Sequence, residues 1–325
     1  MKKVLSVLFI LTILLSACGN ATAKPKVALM LARGGLGDKA FNDSANEGLQ
    51  KAAQELNAEI ATFDYAEDSV EANIRQAAED GYTLIIGLGS ENSQAISTVA
   101  KEFPETKFAI IDATAEGDNV TSVTFSELEG DFLAGALSAL MSDNGKVGYL
   151  GGADVLVIRR IQFGFEQGVH YVNPDAEIVV QYIGGKDDFS GFAKPDEAKH
   201  IADQMYADGV DIIYAAAGGS TLGAIKAAES AGKPIVTTGS DQRYLAPSVV
   251  LTSRTKNMNE AVFMLIQKFV DGSLQSGTVQ LDYKSGGIGL APLADFVPAS
   301  VSEAFGFVKA DIENGAIKVE PFVAP

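Results

Sequence analysis

Cysteine occurs once in these 325 residues and histidine twice. A single thiol leaves no intramolecular disulfide to form, so the fold must rest on its core, and 47% apolar composition supplies one. No HExxH and no CxxC is present, and His170 and His200 stand apart on expected helices, which argues against a transition-metal site. Gly218-Gly219-Ser220-Thr221-Leu222 misses the last glycine of the nucleophile elbow, so no serine-hydrolase constellation can be assembled. Basic residues are also scarce, with 25 Lys and Arg against 42 Asp and Glu for a net charge of -17. That balance excludes nucleic acid and anionic lipid surfaces as partners.

No apolar run reaches the roughly 20 residues that span a bilayer. The longest candidate, Val4 to Leu15, follows Lys2 and Lys3 and has the makeup of a signal peptide. It ends in Leu15-Ser16-Ala17-Cys18, which resembles the bacterial lipobox, where cleavage precedes a cysteine that receives a diacylglyceryl group. On this reading residues 1–17 are removed and 18–24 form a lipidated tether. Loss of Lys2 and Lys3 takes the net charge from -17 to -19. Two or more acyl chains, at about 0.8 kcal/mol per buried methylene, hold such a body stably on a membrane. The body then faces an extracytoplasmic compartment.

Between Val27 and Ser253, short β-branched runs alternate with helical patterns, which predicts an α/β fold with parallel sheets. Strands are expected near Val27–Leu31, Ile60–Phe63, Leu84–Ile86, Phe108–Ile111 and Val120–Thr124. A second series is expected near Val147–Leu150, Ile178–Tyr182, Ile212–Ala215, Ile235–Thr238 and Val249–Leu251. Ten strands are too many for one comfortable open sheet, so two five-stranded lobes facing a cleft fit better. The first helix is expected from Ser44 to Leu56, with Ala45, Leu49, Ala52 and Leu56 on one face and a Ser44–Glu47 capping box.

Ligands of open α/β sheets bind beyond the carboxyl ends of the strands. That rule selects Arg33 to Asn42, Ser90 to Asn92, Asp112, Gly151 to Asp154, Phe189 to Phe192, Gly218 to Thr221 and Gly239 to Gln242. Their aromatics, amides and carboxylates suit a neutral polar ligand with a flat apolar part and suit phosphate poorly. Each residue also has a plain structural reading: Phe41 as a hydrophobic staple, Asp112 as a loop cap, Gly151-Gly152 and Gly218-Gly219 as turns. Gly35-Leu36-Gly37-Asp38-Lys39-Ala40 fits a dinucleotide fingerprint, but the polar stretch from Asp38 to Ser44 opposes a packed first helical turn.

Five stretches carry a family resemblance: GDKAFNDSANEGL, KEFPETKFAIIDA, FSELEGDFLAGALSA, GKVGYLGGADVLVIRRIQFGFEQGV and GSDQRYLAPSVVLTSRTKN. In this order they resemble the basic membrane protein family of ABC-transporter substrate-binding lipoproteins, which includes purine nucleoside receptors. The resemblance implies a type I periplasmic-binding-protein fold of two doubly wound parallel-sheet lobes joined by three crossings around a ligand cleft. One lobe would comprise residues 25–125 and 254–285, the other 126–253 and 286–325. It implies no enzyme activity, catalytic residue, metal or cofactor, and a monomer that hands its ligand to an ABC permease.

By the same resemblance Asp38, Phe41 and Asn42 meet a purine nucleoside, with Phe41 on a base face, Asn42 at a base edge and Asp112 on base nitrogens. Ser90 joins them by its strand-end position. Phe192, with Phe189 as runner-up, would be the second aromatic wall. Gly218 and Gly219 admit backbone to the sugar, and Lys256 lies near it. The family pattern G-V-D-S-D-Q reads here as Thr237-Thr238-Gly239-Ser240-Asp241-Gln242, so Gly239 replaces the aspartate expected on the ribose. Either Asp241 takes that role or the ligand differs, for example a flavin or another vitamin-like ring. A secreted nucleoside-acting enzyme is the alternative of a different class.

Overall fold

A computed structural model describes residues 24–37, 41–186 and 188–324. Cys18 and Asp38 lie outside the described residues.

The first sheet is built from β1 (Lys26–Met30), β2 (Glu59–Phe63), β3 (Leu84–Leu88), β4 (Lys107–Ile111) and β5 (Val120–Phe125). Every residue of β3, Leu-Ile-Ile-Gly-Leu, is buried, as an unbroken apolar run in a sheet covered on both faces must be. The covering helices are α1 (Phe41–Glu55), α2 (Val70–Glu79) and α3 (Ser93–Glu102). α1 buries Ala45, Leu49 and Ala52, the stripe its sequence spacing defines.

α1 starts at Phe41, three residues before the expected Ser44, and Ser44 therefore sits within the helix rather than capping it. Tertiary hydrogen bonds extend the helix. The Asn42 Oδ1 accepts the Ala32 N–H at 2.8 Å, and the Asp43 Oδ1 accepts the Gly37 N–H at 2.8 Å, tying the first turn to the loop that leaves β1.

The second sheet contains β6 (Lys146–Asp154), β7 (Glu177–Lys186), β8 (Ile212–Ala216), β9 (Ile235–Gly239) and β10 (Val250–Lys256). Helices α4 (Leu128–Met141), α5 (Leu156–Val172), α6 (Pro195–Ala207) and α7 (Thr221–Ala231) flank it. α4 is buried continuously from Gly130 to Ser138, wedged between α5 and the sheet. β10 runs five residues past the expected Leu251, so Arg254 and Lys256 are strand residues of this sheet.

Each sheet has six strands, not five. The chain returns as α8 (Met258–Val270) and β11 (Gly277–Leu281), crosses back as β12 (Ile288–Leu290), and finishes in α9 (Ala299–Asn314). β11 pairs parallel with β5, and β12 pairs antiparallel with β10. The strand orders are β11-β5-β4-β3-β1-β2 and β12-β10-β9-β8-β6-β7. Met258, Ala261, Val262 and Leu265 of α8 join the core of the first lobe, while Phe305, Val308 and Ile312 of α9 join that of the second. The chain passes between the lobes three times, after β5, after β10 and between β11 and β12.

Candidate functional site

The strand-end loops of the two lobes enclose two adjoining spaces. One is a cavity of about 430 Å³ lined by Phe41 and Met258 from the first lobe and by Val157, Ile158, Ile161 and Phe192 from the second. Glu127, Arg254 and Lys256 form its charged wall, and Gly218, Thr238 and Gly239 its remaining side. The other, of about 1010 Å³, shares Phe192, Gly218, Thr238 and Gly239 and extends past Gly219, Thr221 and Gln242 to Tyr244 and Arg33.

Phe41 heads α1, and its ring is half-buried against the first-lobe core while also lining the cavity. Phe192 occupies a short turn, Phe189–Ala193, after β7. Ser220 fixes that turn: its Oγ donates to the Gly191 carbonyl at 2.6 Å and accepts the Lys194 N–H at 2.7 Å. Gly152 permits the ring's position, because a Cβ there would fall within contact radius of the Phe192 ring carbons. Phe189, by contrast, is 64% exposed and stacks on Phe192 with ring centroids 6.2 Å apart. Phe192 is thus the ring at the cavity and Phe189 the ring at solvent.

The charged wall is one network. The Lys256 ammonium donates to both Asp112 oxygens at 2.9 Å and meets the Glu127 Oε1 at 2.6 Å. The other Glu127 oxygen accepts from the Arg160 Nη2 at 2.8 Å. The Arg254 Nη1 lies 3.7 Å from Glu127, and its Nε donates to the Asp131 Oδ1 at 2.8 Å, which also accepts the Tyr214 hydroxyl at 2.6 Å. Burial acts to raise the Glu127 carboxyl, but Lys256, Arg254 and Arg160 outweigh it and hold Glu127 well below the usual range. Asp131 goes the other way: burial lifts it to about 6 despite Arg254. Burial likewise raises Asp112, with Lys256 opposing. Burial would lower the Lys256 ammonium, yet Glu127 and Asp112 raise it, so it stays charged.

Phe41, Phe192, Gly218, Gly239 and Lys256 therefore meet at one cavity, and Gly219 lines the larger space beside it. Asp112 touches the site through Lys256. Asn42 is 1% exposed and holds the Ala32 backbone, behind the cavity wall. Ser90 is exposed and lines neither space. Asp241 also lines neither: it forms a bidentate pair with Arg243, at 2.9 and 2.7 Å, which lowers its carboxyl. Gly239, which stands where the family pattern has an aspartate, has φ +106°, a backbone setting that side chains resist. Sequence position alone did not single out Glu127, Arg160, Arg254 or Asp131. Asp131 and Arg254 carry one signal, a charge inside a run that is otherwise buried.

A two-lobed α/β body with an aromatic and charged interlobe cleft matches known proteins along nearly its whole length. The family model described as "ABC transporter substrate-binding protein PnrA-like" matches residues 25–319. This chain belongs to that family. Basic membrane protein A1 of Borrelia garinii subsp. bavariensis is 31% identical over 98% of this chain and 96% of its own. The ABC transporter nucleoside-binding protein BmpA of Lactococcus lactis subsp. cremoris is 31% identical over 93% and 90%. Among solved structures, an ABC transporter solute-binding protein from Aeropyrum pernix K1 superposes with a TM-score of 0.75 at 27% identity, covering 92% of this chain and 93% of its own.

Membership assigns a substrate-binding subunit of an ABC transporter, a type I periplasmic-binding-protein architecture, a small-molecule ligand and a permease partner. Such subunits work outside the cytoplasm. Among the described residues no helix is long and apolar enough to cross a membrane.

Proposed function

We propose that the protein captures a purine nucleoside or a related nucleoside between its lobes and delivers it to a membrane permease, held at the outer membrane face by a lipid on Cys18. The observation that carries this reading is the pairing of Phe41 and Phe192, from opposite lobes, on one cavity of about 430 Å³. Two aromatic faces suit a flat ring, whose burial contributes roughly 25 cal/mol per Å² of apolar surface. The volume lies in the range of small-molecule sites. The three Lys256 donors are taken by Asp112 and Glu127, and the partly exposed Asp112 carboxylate keeps lone pairs for a ring N–H at the edge of a base. The nucleoside-binding relative in Lactococcus supports the same ligand class.

Mass spectrometry of the small molecule released on denaturing the purified full chain tests the reading. A nucleoside is expected, and calorimetry with that compound should give a single site. The compound should be recovered intact, with no free base on chromatography after incubation. A flavin or another large heterocycle would instead favour the second reading, to which the adjoining space of about 1010 Å³ gives room.

A further inference from the structure

Among the described residues, four buried side-chain polar atoms have no hydrogen-bond partner: Asp131 Oδ2, Arg160 Nε, Thr221 Oγ1 and Gln242 Oε1. The first two belong to the charged network. The other two belong to Thr221 and Gln242, residues that both line the larger space of the cleft, near the position where the family aspartate is missing. Buried polar groups are almost always paired, so two orphans on one cavity wall mark a place where something else completes them.

Their positions are fixed by the sheet. Thr221 opens α7 after β8, is 1% exposed, and follows Ser220, whose own hydroxyl is consumed by Gly191 and Lys194. Gln242 follows β9, the neighbouring strand, in parallel register with β8 from Ile213 opposite Ile235 to Ala215 opposite Thr237. The Gln242 N–H donates to the Ser253 Oγ at 3.0 Å, and its side-chain Nε2 faces the Thr238 carbonyl at 3.5 Å. That carbonyl sets which way the amide lies, leaving Oε1 as the unused acceptor. Gly239 between them has open space where a Cβ would stand.

We propose that Thr221 Oγ1 and Gln242 Oε1 are a neutral subsite for the sugar hydroxyls of the ligand, taking the place of the absent carboxylate. The assignment rests on the nucleoside reading and deepens it. A carboxamide oxygen only accepts, whereas a threonine hydroxyl donates or accepts. A pair of sugar hydroxyls satisfies both atoms. A deoxyribonucleoside lacks one of those hydroxyls and leaves one of the two atoms unpaired, so the subsite favours ribose over deoxyribose. A neutral pair also discriminates less sharply than a charge-assisted one.

The test is isothermal calorimetry on the full chain in detergent micelles, first with inosine, guanosine, adenosine and uridine, then with the tightest of these as its free base and its 2′-deoxy form. Wild type should prefer the ribonucleoside to its 2′-deoxy form. Gln242→Leu and Thr221→Val should each weaken nucleoside binding about 3- to 10-fold, with free-base affinity unchanged. In the double variant, ribo- and deoxyribonucleoside should bind within about twofold of each other. Gln242→Glu keeps the acceptor and adds charge, so it should raise the preference for ribose. Undiminished ribose preference in the double variant, equal losses for base and nucleoside, or equal wild-type affinity for ribo- and deoxyribonucleoside would overturn the subsite alone. A wild-type chain that binds neither base nor nucleoside would overturn the nucleoside reading and the subsite with it.

Discussion

Phe41 is both a core-packing and a cleft-lining residue, and a single substitution can separate the two. Its ring packs on the first-lobe core and lines the cleft at once. Truncation to alanine should therefore lower stability by about 1 to 2 kcal/mol, read as a melting point a few degrees lower, as well as weakening nucleoside binding at least about tenfold. Phe41→Leu keeps most of the packing and removes the π-face. It should leave the melting point nearly unchanged while retaining most of the binding loss. Equal affinity of the leucine variant and wild type would show that the ring does not stack on the ligand. Gly152 gives the complementary case on the opposite wall. Gly152→Ala places a methyl group against the Phe192 ring and must displace it, so calorimetry should record a loss close to that of Phe192→Ala although Gly152 lines neither space. Wild-type affinity in that variant would remove Phe192 from the wall.

The elements meet at the charged network, where the end of β4, the first crossing into α4 and the end of β10 converge on Lys256. Lys256→Met leaves Asp112 and Glu127 short of a cation and should cost about 2 to 4 kcal/mol in urea unfolding. Little change would mean that the network does not join the lobes energetically. Asp131 has a separate signature. Its folded pKa, about 6, lies above the unfolded value near 3.9, so between those limits the folded chain binds the extra proton. Its contribution to stability therefore rises as pH falls from about 7 to about 4, by roughly 1 to 3 kcal/mol, and Asp131→Asn should abolish that slope. A melting-point difference between wild type and variant that is flat with pH would contradict it. Glu127 has the opposite sign: its contribution is present above the unfolded value near 4.3 and is lost below it. Of this network the sequence offered Asp112, by its strand-end position, and Lys256, by the resemblance, but not Glu127, Arg160, Arg254 or Asp131, because their meeting depends on where three distant chain segments end. The alternation of strands and helices was legible: β3 is an unbroken apolar run and α1 carries a 4-3-4 stripe. The start of α1 was not, since Asn42 bonds to Ala32 across the loop. β12 was not either, being three residues long and identified only by its partner β10. At the cleft, the rule of strand ends reached the loops of Phe41, Phe192, Thr221 and Gln242 but could not tell Ser90 and Asp241, which face elsewhere, from those that line the space.

For the whole molecule, the decisive quantities are charge and tether. With residues 1–17 removed the net charge is -19, from -17 less Lys2 and Lys3, so electrostatics repel the body from anionic membrane surfaces. On the lipid anchoring proposed above, the stable hold on the membrane would come from acyl chains on Cys18. From Cys18 to Lys26, where β1 begins, the chain reaches at most about 25 to 30 Å when extended, so a lipid on Cys18 would keep the cleft close to a permease without fixing its orientation. Two consequences separate this arrangement from electrostatic adhesion. Wild-type protein should remain in the membrane fraction at high salt, since screening has no attraction to weaken. Cys18→Ser should appear in the soluble fraction at low salt, with nucleoside affinity unchanged because the cleft lies far along the chain from residue 18. Its persistence in salt-washed membranes would show that another contact holds the body there and that the lipid is not the anchor.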